Sequence, residues 1–442
     1  MSASTPRIAR LRLSRANWSD WRSRMPKKLL STLLFALFVL NSQMITATAH
    51  NPVGIRYARE LYIAALIAYV AWRTLFFFSR HTLPKFLVWL LALSVIPALW
   101  SAVTALLVHG QPLHYGLLEE RRLFEFLSGF VLSDLAVRAG VSAERLVRLA
   151  FGTAVFCAAV GICFQIGLVP DLRDILGDFD SRPGVRELRA SIGLSYMVLS
   201  LYIAMLAAVR FRSDEAGVTI RYPIVWSFFF LAIIAFIGQT RQLLIVGASV
   251  AGLYLVKEWR RAIRYVPHAV LAALITAAIV SITIPAGKLS QYWSLLAALS
   301  DREYISASNR AKTIAVIFHE VGSHLFFGGG ALSQKWQDGF SRIYGTFFYL
   351  ADVGDFGVLY RYGIFAVLYF ALTLAFLWKC FSRVPAGYVK TLCGLGFLFS
   401  ILTSFTAGFQ LYQGTFLGLL VALCEIERRQ LSLQRAHGAA SR

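Results

Sequence analysis

Uncharged apolar runs recur along this chain at close intervals. Residues 86–108, "FLVWLLALSVIPALWSAVTALLV", form one of them. Wound as an α-helix at ~1.5 Å per residue, such a run crosses the ~30 Å hydrocarbon core of a bilayer. In lipid, backbone polar groups must find their partners within the protein, which leaves packed helices or a closed barrel. Runs of about 20 residues select helices over the shorter alternating segments of a barrel. Candidate spans lie at 29–46, 60–78, 86–108, 123–137, 146–169, 191–209, 223–238, 242–256, 266–285, 358–378, 391–408 and 411–424. The last two flank "TAGFQLYQG". The pattern predicts an all-α polytopic membrane protein with about 12 transmembrane helices.

Composition agrees. Of 442 residues, 57% are hydrophobic and only 15% charged, whereas soluble domains carry ~25% charged residues. The net charge of +21 raises the question of nucleic acid, but the placement of the charges answers it. Basic residues crowd one side of the predicted membrane: the tail from Arg7 to Lys28, the cluster Lys257, Arg260, Arg261 and Arg264, and the C-terminal Arg428, Arg429, Arg435 and Arg442. Lys and Arg in short loops mark the cytoplasmic side and attract anionic lipid. Both termini are therefore expected in the cytoplasm, with the long loops outside and no nucleic-acid partner. The first run, followed by "ATA" at 47–49, imitates a cleaved signal peptide; the continuous apolar stretch to Thr46 assigns it to the first span. The five cysteines fall in or beside apolar runs and read as small core hydrophobes.

The predicted division is a basic tail (1–28), helices one to nine (29–285) with an outward loop at 170–190, a large outward loop (286–357), helices ten to twelve (358–424) and a second tail (425–442). Chemistry-bearing residues gather in the outward segments. Arg189 stands directly before "ASIGLSYMVLSLYIAMLAA", at the bilayer surface, where a guanidinium can fork onto phosphate or simply anchor the helix. Arg241 sits in the tight apolar hairpin "FIGQTRQLL", an expensive place for a charge without a partner or a wet cavity. Arg310 opens "NRAKTIAVIFHEVGSHLFFGGG", a predicted helix with an apolar face of Ile314, Ile317, Phe318 and Val321, ended by Gly328–Gly330. His319 and His324 inside it are five apart, off the one-face spacing of a zinc helix, and no metal site is read there. "YLADVGDFGVLYRYGIF" then leads into the tenth run. Asp352 and Asp355, three apart, are neighbours if helical, and one of them suits a helix N-terminus. Arg361 follows. Phe356, Tyr360 and Tyr362 suit either sugar stacking or an interfacial aromatic belt.

These segments, in this order, resemble the O-antigen polymerase and ligase superfamily, which includes the Wzy-type polymerases of bacterial surface polysaccharide. The matching blocks are "RASIGLS" with Arg189, "QTRQLLIVGASVAGLYLV" with Arg241, "NRAKTIAVIFHEVGSHLFFGGG" with Arg310, and the stretch from Asp352 to Gly363. Ligases typically carry His where this chain has Asp352, so the resemblance leans to the polymerases. It implies a GT-C-like glycosyltransferase of the bacterial inner membrane with its site facing the periplasm. The substrates it implies are oligosaccharide repeat units on undecaprenyl pyrophosphate. It implies catalytic roles for Asp352 and Asp355, pyrophosphate binding by Arg189, Arg241, Arg310 and Arg361, no cofactor and no metal. A chain-length regulator and a flippase would be its partners. A ligase of the same superfamily is the nearest alternative. A flippase or other transporter is the second, with Glu125 and Asp134 in the fourth run as its ionisable candidates.

Overall fold

A computed structural model describes residues 26–48, 51–172, 190–209, 220–238, 240–263, 309–345, 347–348, 350, 353–408 and 413–440, with isolated positions 267, 270, 271 and 274. The helices are α1 (Lys27–Asn41), α2 (Ala58–Phe78), α3 (Lys85–His109), α4 (Leu113–Glu119), α5 (Ser128–Ala139), α6 (Ala143–Gln165), α7 (Leu194–Val209), α8 (Pro223–Ala232) and α9 (Arg241–Lys257). They continue with α10 (309–323), α11 (Gly339–Ile343), α12 (Asp355–Tyr362), α13 (Phe365–Ser382), α14 (Tyr388–Ala407) and α15 (Gly414–Ala440). Among the described residues the only extended pairing is an isolated bridge between Thr46 and Ile55.

Among the described residues, five helices are long and apolar enough to cross a membrane: Ala58–Phe78, Lys85–His109, Ala143–Gln165, Phe365–Ser382 and Tyr388–Phe405. Shorter apolar helices occupy Leu194–Val209, Pro223–Ile237 and Gln242–Lys257. Large aliphatic side chains point outward: Leu107 is 75% exposed, Leu75 and Val256 71% each. Helices apolar on their outer as well as their inner faces need a lipid surround. The architecture is that of a helical membrane protein. The expected ninth span, 266–285, lies almost wholly outside the described residues, as does most of the 170–190 loop.

Local chemistry sets the boundaries. Gly110 and Gly140 end α3 and α5 in the left-handed conformation, with φ of 71° and 73°, a region open to glycine at no cost. Ser142 caps α6 by accepting from the Arg145 N–H at 3.3 Å. α5 packs most extensively on α15. Small residues permit that approach: a β-carbon at Gly418 would collide with Ser128 Oγ, and one at Gly129 would lie 3.3 Å from the Gly418 carbonyl.

Three expectations require correction. The fourth run does not begin as a spanning helix at 123. Residues Glu120–Leu127 form a 3-10 turn and α5 starts at Ser128, because Glu120, Arg121 and Glu125 are held by partners from other elements. The tenth run is not continuous. It breaks at Gly363, φ 58° and ψ −143°, so α12 and α13 are separate helices. Phe318, expected on the buried face of α10, is 55% exposed, while Thr313 takes a buried place beside Ile317 and Val321.

Candidate functional site

One end of the bundle collects the described residues of several connections, 42–48, 51–57, 110–127, 190–193, 238, 240, 324–345 and 353–354, and described parts of the segments singled out in the sequence meet there. The chain entering α7 meets the end of α8. Residues Ile233–Ile237 form a π-helical turn, and the Gly238 N–H reaches back to the Ile233 carbonyl at 2.9 Å. The Ile237 carbonyl, orphaned at the helix end, accepts the Ala190 N–H at 3.0 Å. The Ser191 hydroxyl donates to the Gly238 carbonyl at 3.2 Å. Arg189 itself lies outside the described residues, but its neighbour is thereby fixed beside the hairpin that carries Arg241.

The backbone of Arg241 opens α9; its side chain lies outside the described residues. The next residue, Gln242, donates from Nε2 to the Thr403 carbonyl at 3.0 Å. Ser404 follows on α14, and its hydroxyl donates to Asp355 Oδ2 at 2.7 Å. Gly354, at φ 58°, lies against the Ser404 and Phe405 backbone so closely that a β-carbon would collide with it. The α9 start and the α12 start are thus tied to adjacent residues of one helix. Asp355 occupies the first turn of α12, where a carboxylate is favoured by the helix dipole. Asp352 lies outside the described residues.

The glycine turn after α10 meets the α12–α13 break. The Gly329 N–H donates to the Tyr360 carbonyl at 2.7 Å, and the Ile364 N–H to the Leu325 carbonyl at 2.8 Å. Gly328 lies directly against the Tyr360 and Gly363 backbone, Gly330 against Ser101 and Ala105. Buried Gln111 fixes the other side of the turn, donating to the Ala331 carbonyl at 2.9 Å and accepting from the Ser333 N–H at 2.7 Å. A small apolar core under this loop contains Ile317, Val321, Phe340, Phe348 and Tyr360. Tyr344 contacts Tyr360 through their hydroxyls at 3.1 Å, and burial pushes the Tyr344 phenol up to about 12. Arg310 occupies the first turn of α10, exposed and without an ion pair to a described residue.

Arg361 is buried. Its Nη1 lies 2.9 Å from Glu120 Oε1 and its Nη2 3.7 Å from Glu119. The Tyr362 hydroxyl donates to the second Glu120 oxygen at 3.0 Å. Phe356 is partly exposed, whereas Tyr360 and Tyr362 are fully buried, which removes those two from any sugar-facing surface in this conformation. His319 and His324 are exposed. No group of three or more His, Cys, Asp or Glu among the described residues is arranged to hold a metal ion.

Sequence reasoning did not single out Glu119 and Glu120. The signal was present in "LLEERRLFEF": an acid pair at the edge of an apolar run needs a partner for the same reason as Arg241. A second polar network lies alongside. Arg59 Nε lies 3.3 Å from Glu125, and Gln43 donates to Glu125 at 3.4 Å and to the Thr415 hydroxyl at 3.3 Å. Asn41 donates to Tyr196 at 2.7 Å and accepts from Tyr62 at 2.6 Å. Asp134 pairs with Arg73 at 3.0 Å and accepts from Tyr69 at 2.6 Å. Both acids expected of a transport pathway are therefore ion-paired. No protein-family model, no curated protein and no solved structure matches the chain.

Proposed function

We propose that the protein is a glycosyltransferase that polymerises oligosaccharide repeat units carried on undecaprenyl pyrophosphate, at the periplasmic face of a bacterial inner membrane. One observation carries the reading. Four segments separated by long stretches of chain, those of Arg189, Arg241, the Gly328–Gly330 turn and Asp355, join at one end of the bundle through direct hydrogen bonds or the adjacent Thr403–Ser404 pair. In sequence, three of them carry a cation or a carboxylate at the edge of an apolar run, where a charge needs a counterpart.

The reaction asks for little beyond what such a cluster offers. The acceptor hydroxyl oxygen forms a bond to the anomeric carbon of the donor. The bond from that carbon to the pyrophosphate oxygen breaks, and the electron pair leaves with the lipid pyrophosphate. The leaving group needs positive charge, and arginines supply it in a fixed forked geometry. Arg189, Arg241 and Arg310 take this role. A carboxylate within hydrogen-bond reach of the acceptor takes its proton; Asp352 is the first choice and Asp355 the second. Arg361, held on Glu120, fixes α12 and hence the approach of Asp355.

Arg241→Ala and Asp352→Asn, each checked for membrane insertion, test the proposal in a cell lacking its own polymerase. Both variants are expected to leave single repeat units where the parent makes long chains. Long chains from both variants would sink the assignment. Long chains accumulating on the carrier lipid after deletion of the gene would point to a ligase instead.

A further inference from the structure

At the opposite end of the bundle, the start of α3, the end of α13 and the last part of α15 enclose a cavity of about 310 Å³. Lys85, Lys379, Arg383, Arg428 and Arg429 line it, against one carboxylate among the described residues, Glu425. That carboxylate is consumed. Arg428 holds both its oxygens, at 2.8 and 2.7 Å, and Arg429 adds a contact at 2.6 Å. Lys85, Lys379 and Arg383 are exposed, and none makes an ion pair with a described residue. The Lys379 ammonium instead lies 5.8 Å from the Trp89 ring centroid.

The floor beneath the cations is apolar. Trp89 stacks on Phe376 at 6.1 Å and 22°. The pocket lies at the ends of α3 and α13, two of the helices long and apolar enough to span. Their outward faces beside it carry Val88 and Trp378, 47% and 68% exposed. Three unneutralised cations over an aromatic floor, continuous with a lipid-facing surface, match one ligand chemistry: a phosphate diester carrying acyl chains.

We infer that this cavity is a binding site for the headgroup of an anionic glycerophospholipid, its phosphate on Lys85, Lys379 and Arg383 and its chains along α3 and α13. Basic pockets between spanning helices take anionic headgroups for this reason. Arg428 and Arg429, oriented by Glu425, set the inner wall. The inference stands independently of the reaction at the other end.

The test uses the purified, delipidated full chain in neutral detergent, with melting temperature and native mass spectrometry as readouts. Added phosphatidylglycerol should raise the melting temperature and remain bound. Phosphatidylcholine of the same chain length and inorganic phosphate alone should do neither. Lys379→Ala with Arg383→Ala removes two exposed side chains that hold no ion pair with a described residue, and an unchanged melting temperature without added lipid checks that folding is preserved. Each surface cation is worth roughly fivefold in affinity for an anionic lipid surface, so the double variant should retain roughly 25-fold less lipid. Lys257→Ala with Arg260→Ala, an exposed basic pair outside the cavity, should bind as the parent does. The inference is overturned if phosphatidylglycerol gives no shift, if inorganic phosphate shifts equally, if Lys379→Ala/Arg383→Ala binds normally, or if the control pair loses as much.

Discussion

Arg361 Nη1 and Glu120 Oε1 lie 2.9 Å apart, with side-chain exposures of 5% and 0% and a sequence separation of 241 residues. The pair joins α12 to the turn that precedes α5. Removing one member of a buried ion pair strands the other, at a cost of about 3–5 kcal/mol. Glu120→Ala should therefore lower unfolding stability in detergent by that amount. Glu120→Leu combined with Arg361→Met should recover most of it, because a well-packed apolar pair can replace a buried ion pair. Equal stability of the single variant and the parent would show that the pair contributes no net coupling.

The glycine turn makes a sharper contrast. Gly330→Ala places a side chain at φ 74° against the Ser101 carbonyl and the Ala105 backbone, and should cost roughly 2–4 kcal/mol through strain and collision. Gly322→Ala, on α10 with nothing within 4 Å of its β-carbon, should instead stabilise by up to about 1 kcal/mol. Melting curves of the two variants should move in opposite directions.

Gln111 supplies both a donor and an acceptor to the loop backbone. Gln111→Ala leaves the Ala331 carbonyl and the Ser333 N–H buried without that partner, a penalty of about 1–3 kcal/mol per group. Hydrogen exchange across 328–345 should accelerate while α13 keeps its protection. Uniform acceleration across the chain would mean that the loop does not open as a local unit.

Asp134 is the test of a transport role. Paired with Arg73 and Tyr69, it acts as an internal brace. Asp134→Asn should reduce the amount of folded protein in the membrane but leave the yield of the proposed polymerisation per folded molecule unchanged. A fully folded variant with no activity would place Asp134 on a functional path.

At the proposed centre, Ser404→Ala removes the donor to Asp355 and Ser404→Thr keeps it. A positioned general base contributes roughly 100- to 10,000-fold to rate, and loosening its orientation should cost a smaller part of that. Chain growth in reconstituted membranes should fall for Ser404→Ala and hold for Ser404→Thr, with equal melting temperatures. A matching loss in both would assign the hydroxyl a packing role.

The membrane helices were legible because apolar periodicity and length act locally. The runs at 60–78, 86–108, 146–169 and 391–408 correspond to α2, α3, α6 and α14. The break at Gly363 was not legible, because only the approach of Gly328 and Leu325, from another part of the chain, makes that backbone shape necessary. Nor was the 3-10 turn at Glu120–Leu127, whose shape follows from partners on α2 and α12. Of the expected site, Asp355 could be found as a carboxylate at a helix start. The pairing of Arg361 could not, since Glu120 is remote in sequence and an acid pair at the edge of an apolar run does not say which cation meets it.

That remoteness has a consequence for how the molecule is made. Glu120 leaves the ribosome 241 residues ahead of Arg361, and Gln111 220 residues ahead of Ala331. At ~5–20 residues per second, Glu120 waits roughly ten to fifty seconds for its counter-ion. Throughout that interval the contact that joins α12 to the turn before α5 does not exist. A chain stopped short of α12 never acquires it, and the early helices must then hold their places without that brace.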